Sequence, residues 1–231
     1  MTGLDAEPGD GEAVDPPIPA ATVVLVRDGE TGLETLMLRK NAKLAFGGMW
    51  VFPGGRVDDG DGDGQDGARN AAAREAMEEA ALTVDPTTMV PFAHWTPPGV
   101  APKRFATWFF LAPAPEGGEV TIDGGEIHEH VWVGPRTALE RHARGEVELA
   151  PPTWVTLHHL AERDDVVSAM AAAASGHVER YSTQLGTTKL GGGLVVLWHG
   201  DAGYESGDAD LDGPRHRLTM APGPWRFERT E

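Results

Sequence analysis

The segment Ala72-Ala73-Arg74-Glu75-Ala76-Met77-Glu78-Glu79-Ala80-Ala81-Leu82 constrains this chain more than any other. From Ala68 to Leu82 nearly every residue is a strong helix former. On a helix turning about 100° per residue, Ala73, Ala76, Met77 and Ala80 make a narrow apolar stripe. Glu75, Glu78 and Glu79 then cluster on the opposite side at i, i+3 and i+4, where each exposed like-charge pair costs a few tenths of a kcal/mol. Arg74 relieves part of this through Glu78, and the small alanines let the helix sit close to a sheet. Such a string reads either as a solvated acidic face or as a hard-cation site, whose carboxylate oxygens suit Mg²⁺ completing its shell with water and substrate phosphates. Taken alone, it leaves both readings open.

What precedes it separates them. Phe52-Pro53-Gly54-Gly55 leads into Arg56-Val57-Asp58-Asp59-Gly60-Asp61, and the paired glycines permit a positive-φ turn and close approach of another chain or a ligand. This Pro-Gly-Gly loop, an acid six residues after Gly55, and Arg-Glu-x-x-Glu-Glu on a helix together resemble the signature of the Nudix hydrolases. With the flanking strands the resemblance extends over roughly residues 20–145. It implies an α/β/α sandwich with a mixed β-sheet and Mg²⁺-dependent hydrolysis, with Mn²⁺ as an alternative, of a diphosphate linkage in a nucleoside diphosphate derivative. Glu75, Glu78 and Glu79 would be the metal ligands. The catalytic set would be Glu78, Glu79 and a loop glutamate that takes the proton of water. The segment 124–132 supplies Glu126 and Glu129, of which Glu129 matches better by its spacing to Trp132. Gly54 and Gly55 would face the diphosphate, with Arg39 and Arg56 as its cations; Lys40 and Lys43 complete that basic cluster.

Three positions depart from the family pattern. Asp61 stands in place of Glu, Ala81 stands in place of the Gly that ends the helix, and twelve residues rather than seven separate Asp61 from Arg74. The stretch 58–67, nearly all Asp and Gly, reads as loop, and shortening 62–66 is expected to leave activity because loop length is cheap. Ala81 puts the helix exit in question, because alanine tolerates a left-handed cap poorly. With PPTW at 151–154, WHGDAGY at 198–204 and GPRHRL at 213–218, the inserted box is similar to the coenzyme A diphosphatase branch. Coenzyme A or acyl-coenzyme A is thus the expected substrate, with ADP-ribose, NADH or a nucleotide sugar as alternatives. The rival class is a non-catalytic Nudix-fold binding module, against which stands the retention of all three helix glutamates.

Other motifs are weaker. Asp59-x-Asp61-x-Asp63-Gly64 imitates half of a calcium loop, but the bidentate Glu required at its twelfth position is Asn70 here. Trp95 and Trp108 suit core packing first and a nucleobase second. His128 and His130 share one side of a strand, and a metal pair there is the less favoured reading.

A net charge of −17 argues against a nucleic-acid or anionic-membrane footprint. No Cys is present, which removes disulfides, thiolate metal sites and Cys nucleophiles. No stretch approaches the roughly 18 apolar residues of a membrane span. The N-terminus carries no signal-peptide pattern, so the expected compartment is the cytoplasm. The chain divides into an acidic disordered arm at 1–19, a hydrolase domain at 20–145 and an extension at 146–231 packed on it. Within these, strands are expected at 21–28, 34–41, 49–52, 89–95, 104–112, 129–134, 194–199 and 215–220, and helices at 68–82, 135–144 and 152–174. A small-molecule nucleotide is the expected partner, and a homodimer is an open alternative.

Overall fold

The computed structural model describes residues 16–43, 47–101, 104–189, 193–221 and 223–230. The N-terminal arm lies largely outside these, and its last two residues belong instead to the first strand. β1 (Ile18–Gly29) and β2 (Gly32–Lys40) form the expected hairpin, with Gly29 opposite Gly32. Gly32 sits at φ 124°, a conformation open to glycine. β3 (Trp50–Val51) adds to β2, and β4 (Gly54–Arg56) pairs antiparallel with β1. β5 (Val90–Thr96), β6 (Phe105–Pro113), β7 (Ile127–Val133) and β8 (Glu179–Ser182) complete an eight-stranded sheet. Its order is β3-β2-β1-β6-β5-β8, with β4 also on β1 and β7 also on β2. β1 runs parallel to β6 and β5 parallel to β8, while the other pairings are antiparallel, so the sheet is mixed.

Alternation along β1 explains the layering. Ala21, Val23 and Leu25 face one core, which they share with the alanines of α1 (Gly64–Ala80). Val24 and Val26 face the other, which they share with α2 (Pro135–Ala143), α3 (Pro151–Leu160) and α4 (Val166–Ser175). A central strand buried on both faces needs apolar side chains at both parities, which β1 supplies. The result is the expected α/β/α sandwich.

Three expectations change. The stretch 58–67 is not simply loop: residues 59–61 form a 3-10 turn and α1 starts at Gly64. The apolar stripe of α1 is rotated by roughly a quarter turn at about 100° per residue. Ala68, Ala71, Ala72, Ala76 and Ala80 are buried along with Glu79, whereas Met77 is 44% exposed. The single helix expected at 152–174 is two, broken where Asp165 accepts the Ser168 N–H to cap α4.

The division at 145/146 is not a break in the sheet. Beyond it, α3 and α4 cover one face and β8 pairs with β5, so the segment through Ser182 is built into the sandwich. β9 (Gln184–Gly186), β10 (Leu194–Leu197), β11 (His216–Met220) and β12 (Arg226–Arg229) then form a second, antiparallel sheet. An aromatic group joins the two. Trp95 stacks on Tyr181 at 3.8 Å, and Trp198 meets Trp95 edge-on at 5.6 Å. The tail motifs find their use here. Arg217 grips Asp201 with Nε and Nη2 at 2.7 and 2.6 Å, and Asp201 also accepts the His216 and Gly203 N–H groups.

Two predictions follow from this packing. Ala81 ends α1 at φ 56°, with its N–H donating to Met77 O and the Leu82 N–H donating to Ala76 O, a left-handed cap that strains any residue with a Cβ. The Ala81 side chain is exposed, so Ala81→Gly removes no buried contact. It should stabilise the fold by about 1 kcal/mol, raising Tm by about 2–4 °C in thermal unfolding. The second concerns His159, packed against Phe227 and His158, which burial pushes down to about 4. The unfolded chain, with an ordinary histidine near 6.5, therefore takes up this proton first. Stability should fall as pH drops from about 6.5 to about 4, and His159→Phe should shallow the slope of Tm against pH in that window.

Candidate active site

The arrangement is organised around one guanidinium. Arg74, on α1, uses all five N–H donors. Nε and Nη2 hold the two Asp61 carboxylate oxygens at 3.1 and 2.9 Å, and Nη2 also reaches Arg56 O at 2.9 Å. Nη1 holds Glu75 Oε1 at 2.9 Å and Glu78 Oε2 at 3.0 Å. A bidentate Arg–carboxylate pair is both strong and directional. Asp61 thus ties the 3-10 turn to the helix and positions Arg74, which in turn holds the Asp61 carboxyl below its usual range. The Asp-rich half calcium loop is used up in this way: Asp61 accepts the Asp58 N–H and bonds Arg74, and Asn70 Nδ2 donates to Asp61 O. Residues 62–66 link the 3-10 turn to the first turn of α1, and Gly64 to Asp66 belong to the helix itself.

Beside Arg74, α1 approaches β4 closely. A side chain at Gly55 would overlap the Glu75 carboxylate, and one at Gly54 would overlap Ala21 O and Thr22 Oγ1. Neither glycine has a positive φ, so the pair provides close approach rather than a reversed turn. The Gly54 N–H donates to Glu79 Oε2 at 3.0 Å. Lys40, at the end of β2, stands 3.2 Å from Glu79 Oε1 and 3.8 Å from Glu126 Oε2. Glu79 is 3% exposed, and its Oε1 lies at ion-pair distance from Lys40 without a hydrogen-bond donor aligned on it. Burial, only partly offset by Lys40 and the Gly54 N–H, pushes the Glu79 carboxyl up to about 7. Burial likewise raises Glu75, against the pull of Arg74.

The other expected residues divide. Glu75, Glu78, Glu79, Gly54 and Gly55 come together. Arg56 contributes its carbonyl to Arg74, while its exposed side chain pairs with Asp58 at 3.4 Å. Arg39 is on β2 opposite Glu129 on β7, and their side chains pair with each other at 3.2 Å. Glu126, rather than Glu129, is linked to the helix carboxylates through Lys40. Lys40 faces the helix by the ordinary alternation of β2, on the same side as Leu36 and Leu38, while the register shift leaves His128 of β7 without an opposite residue on β2.

The NUDIX domain model matches residues 16–152. The chain belongs to the NUDIX domain family. It is 24% identical over 182 residues to putative nudix hydrolase 7 of Caenorhabditis elegans, covering 63% of this chain and 61% of that protein. It is 33% identical over 134 residues to an octanoyltransferase of Myxococcus xanthus, covering 57% of this chain and 36% of that one. The chain thus spans less than two thirds of the length of these curated relatives. A crystal structure of a NUDIX hydrolase from Alicyclobacillus acidocaldarius aligns with a TM-score of 0.64 at 22% identity, over 71% of this chain and 100% of that one. At that identity the likeness shows a shared fold.

A divalent cation is the group the Nudix family implies, and the residues fit it in donor type: three carboxylates of α1, one of them with a buried oxygen on which no hydrogen-bond donor is aligned. Among the described residues no three His, Asp or Glu side chains already form a cage. The reason is visible in the ion pairs, since Arg74 holds Glu75 and Glu78 and Lys40 holds Glu79. These two cations offset the carboxylate charge that a metal would otherwise neutralise. Also among the described residues, no helix is long and apolar enough to cross a membrane.

If the Nudix helix binds the cation, Mg²⁺ or Mn²⁺ should raise the Tm of the wild-type chain above its value in chelator, by preferential binding to the folded state. Glu79→Gln should abolish that rise while the fold persists. An undiminished metal-induced shift in the variant would place the cation elsewhere.

Proposed function

We propose that this chain hydrolyses a diphosphate linkage in a nucleoside diphosphate derivative, with Mg²⁺ or Mn²⁺ held by Glu75, Glu78 and Glu79. The observation that carries the proposal is Glu79, a carboxylate buried on the glutamate face of α1, with Lys40 beside one oxygen and the Gly54 N–H on the other. Burying a carboxylate is costly even when it is paired, and a cation-binding role explains its retention. When bound, the cation neutralises developing phosphoryl charge and lowers the pKa of its water. In the reaction, a water oxygen bonds to one phosphorus, the bridging P–O bond breaks, and two monophosphates leave. The water's proton passes to a carboxylate. Glu126 is favoured for this over Glu129, because Lys40 joins it to Glu79, whereas Glu129 is held by Arg39 on the neighbouring strand. Arg74 holds Glu75 and Glu78 in register, and Gly54 and Gly55 keep the wall beside them free of side chains.

Coenzyme A or a short acyl-coenzyme A is the first candidate substrate, giving 4′-phosphopantetheine or its acyl derivative and adenosine 3′,5′-bisphosphate. Its support is the elongated box and the tail motifs. In the structure Trp198, Asp201 and Arg217 are buried in the C-terminal sheet, so those motifs serve packing and the substrate choice leans on the box. ADP-ribose, NADH and nucleotide sugars are the alternatives.

Product formation from this panel should require Mg²⁺ or Mn²⁺ and stop in excess chelator. No turnover of any compound with either metal would favour the binding-module reading. A preference of tenfold or more for ADP-ribose or NADH over coenzyme A in kcat/KM would overturn the coenzyme A choice and leave the hydrolase. Glu126→Gln should lower kcat by about 100-fold or more, the range of general-base loss, and Glu129→Gln by much less. The reverse order would return the base to Glu129.

A further inference from the structure

Trp108 and Arg180 stand on the same side of the sheet as the carboxylates. Register fixes the row: Gly55 on β4 is opposite Ala21 on β1, Ala21 opposite Trp108 on β6, Trp108 opposite His94 on β5, and His94 opposite Arg180 on β8. Ala21 faces α1, and Trp108 packs at the margin of the same core, so the row lies on the α1 side. With strands about 4.8 Å apart, Trp108 is about 10 Å along the row from Gly55, over which Glu75 sits, and Arg180 about 19 Å. That spacing is on the scale of a nucleoside carried by a phosphate anchored at the carboxylates. α1 packs over β1, β4 and β6, and the row continues past it onto β5 and β8.

We infer that Trp108 and Arg180 form a clip for the nucleobase of the substrate, the base entering between the indole and the guanidinium. This rests on the hydrolase reading above. The Arg180 guanidinium carbon stands 6.0 Å above the Trp108 ring. Two stacked contacts of about 3.5 Å each need about 7 Å, so a shift of about 1 Å in a long, exposed side chain admits a planar ring. Indole faces and guanidinium planes are the surfaces on which unstacked bases settle. Among the described residues Arg180 has no carboxylate partner, in a chain of net charge −17 where Arg226 and Arg229 on β12 are both paired. His94 meets Trp108 at 4.7 Å and 63°, which fixes the tilt of the indole, and Phe110 flanks it at 6.3 Å. Trp95, the other tryptophan that the sequence raised for stacking, is buried with its face against Tyr181 and has none to offer.

The test uses the full chain and AMP as the probe, with Mg²⁺ present to bridge the phosphate to the carboxylates, by titration calorimetry. Wild type should bind AMP, and Trp108→Ala and Arg180→Gln should each weaken it at least tenfold. Trp108→Phe, which keeps an aromatic face, should stay within about threefold, and ribose 5-phosphate should bind wild type no better than AMP binds Trp108→Ala. Tm values accompany each variant, and Trp108→Phe and Arg180→Gln carry the test if Trp108→Ala does not fold. With metal and the best substrate of the panel, the loss in Trp108→Ala and Arg180→Gln should fall on KM rather than kcat. Absence of AMP binding to wild type, or binding unchanged in folded Trp108→Ala or Arg180→Gln, overturns the clip even if hydrolysis is intact. The expected AMP pattern without hydrolysis of any compound supports the clip and overturns the hydrolase reading instead.

Discussion

Arg74 holds together the two pieces of chain on which the site depends. One is the turn that follows β4, reached through Asp61 and Arg56 O; the other is the carboxylate flank of α1, reached through Glu75 and Glu78. A guanidinium offers five donors in a fixed plane, and here each has an acceptor. A lysine could supply the charge but not the fork. The same contacts explain why Asp replaces Glu at position 61 without loss of the link. The 3-10 turn at 59–61 places the Asp61 backbone where its short side chain reaches Arg74.

Around this hub the glycines govern distance. β4 is a strand whose first two residues carry no side chains, so α1 can lie against it with Glu75 over Gly55 and Glu79 at the Gly54 N–H. Burial of Glu79 is unfavourable for the folded chain on its own, as its pKa near 7 records. Such tension between stability and placement is common where a polar group serves chemistry rather than packing. Lys40 eases it by standing between Glu79 and Glu126.

The C-terminal third takes part in the same sandwich. β8 lengthens the sheet past β5, α3 and α4 cover the face opposite α1, and the second sheet is fastened by Trp198 and the Asp201–Arg217 pair. A buried ion pair gives little net stability, but breaking it leaves an uncompensated charge. These residues therefore hold the register of the tail. The extension also brings Arg180 beside Trp108, joining a residue of the extension to one of the sheet core.

Local pattern in the sequence was enough for the helix and its three glutamates, for the β1–β2 hairpin and for most central strands. These follow from side-chain period and turn chemistry, which act over a few residues. That Gly54 and Gly55 permit close approach was legible because they lack side chains, but that α1 is what approaches was not. What only the tertiary structure decided is the rotation of α1, which buries Glu79 and exposes Met77. A helical wheel ranks faces by apolarity, whereas this helix is turned by Arg74, Lys40 and the Gly54 N–H, partners that come from other elements. The same holds for Glu126 against Glu129, set by the ion pairs that Lys40 and Arg39 make across strands, and for the row from Gly55 to Arg180, which spans five strands. The strands β4, β8, β9 and β12 are three or four residues long, so their existence depends on partners distant in the chain. Pairing across such separations is a property of the assembled sheet and leaves no period in the local sequence.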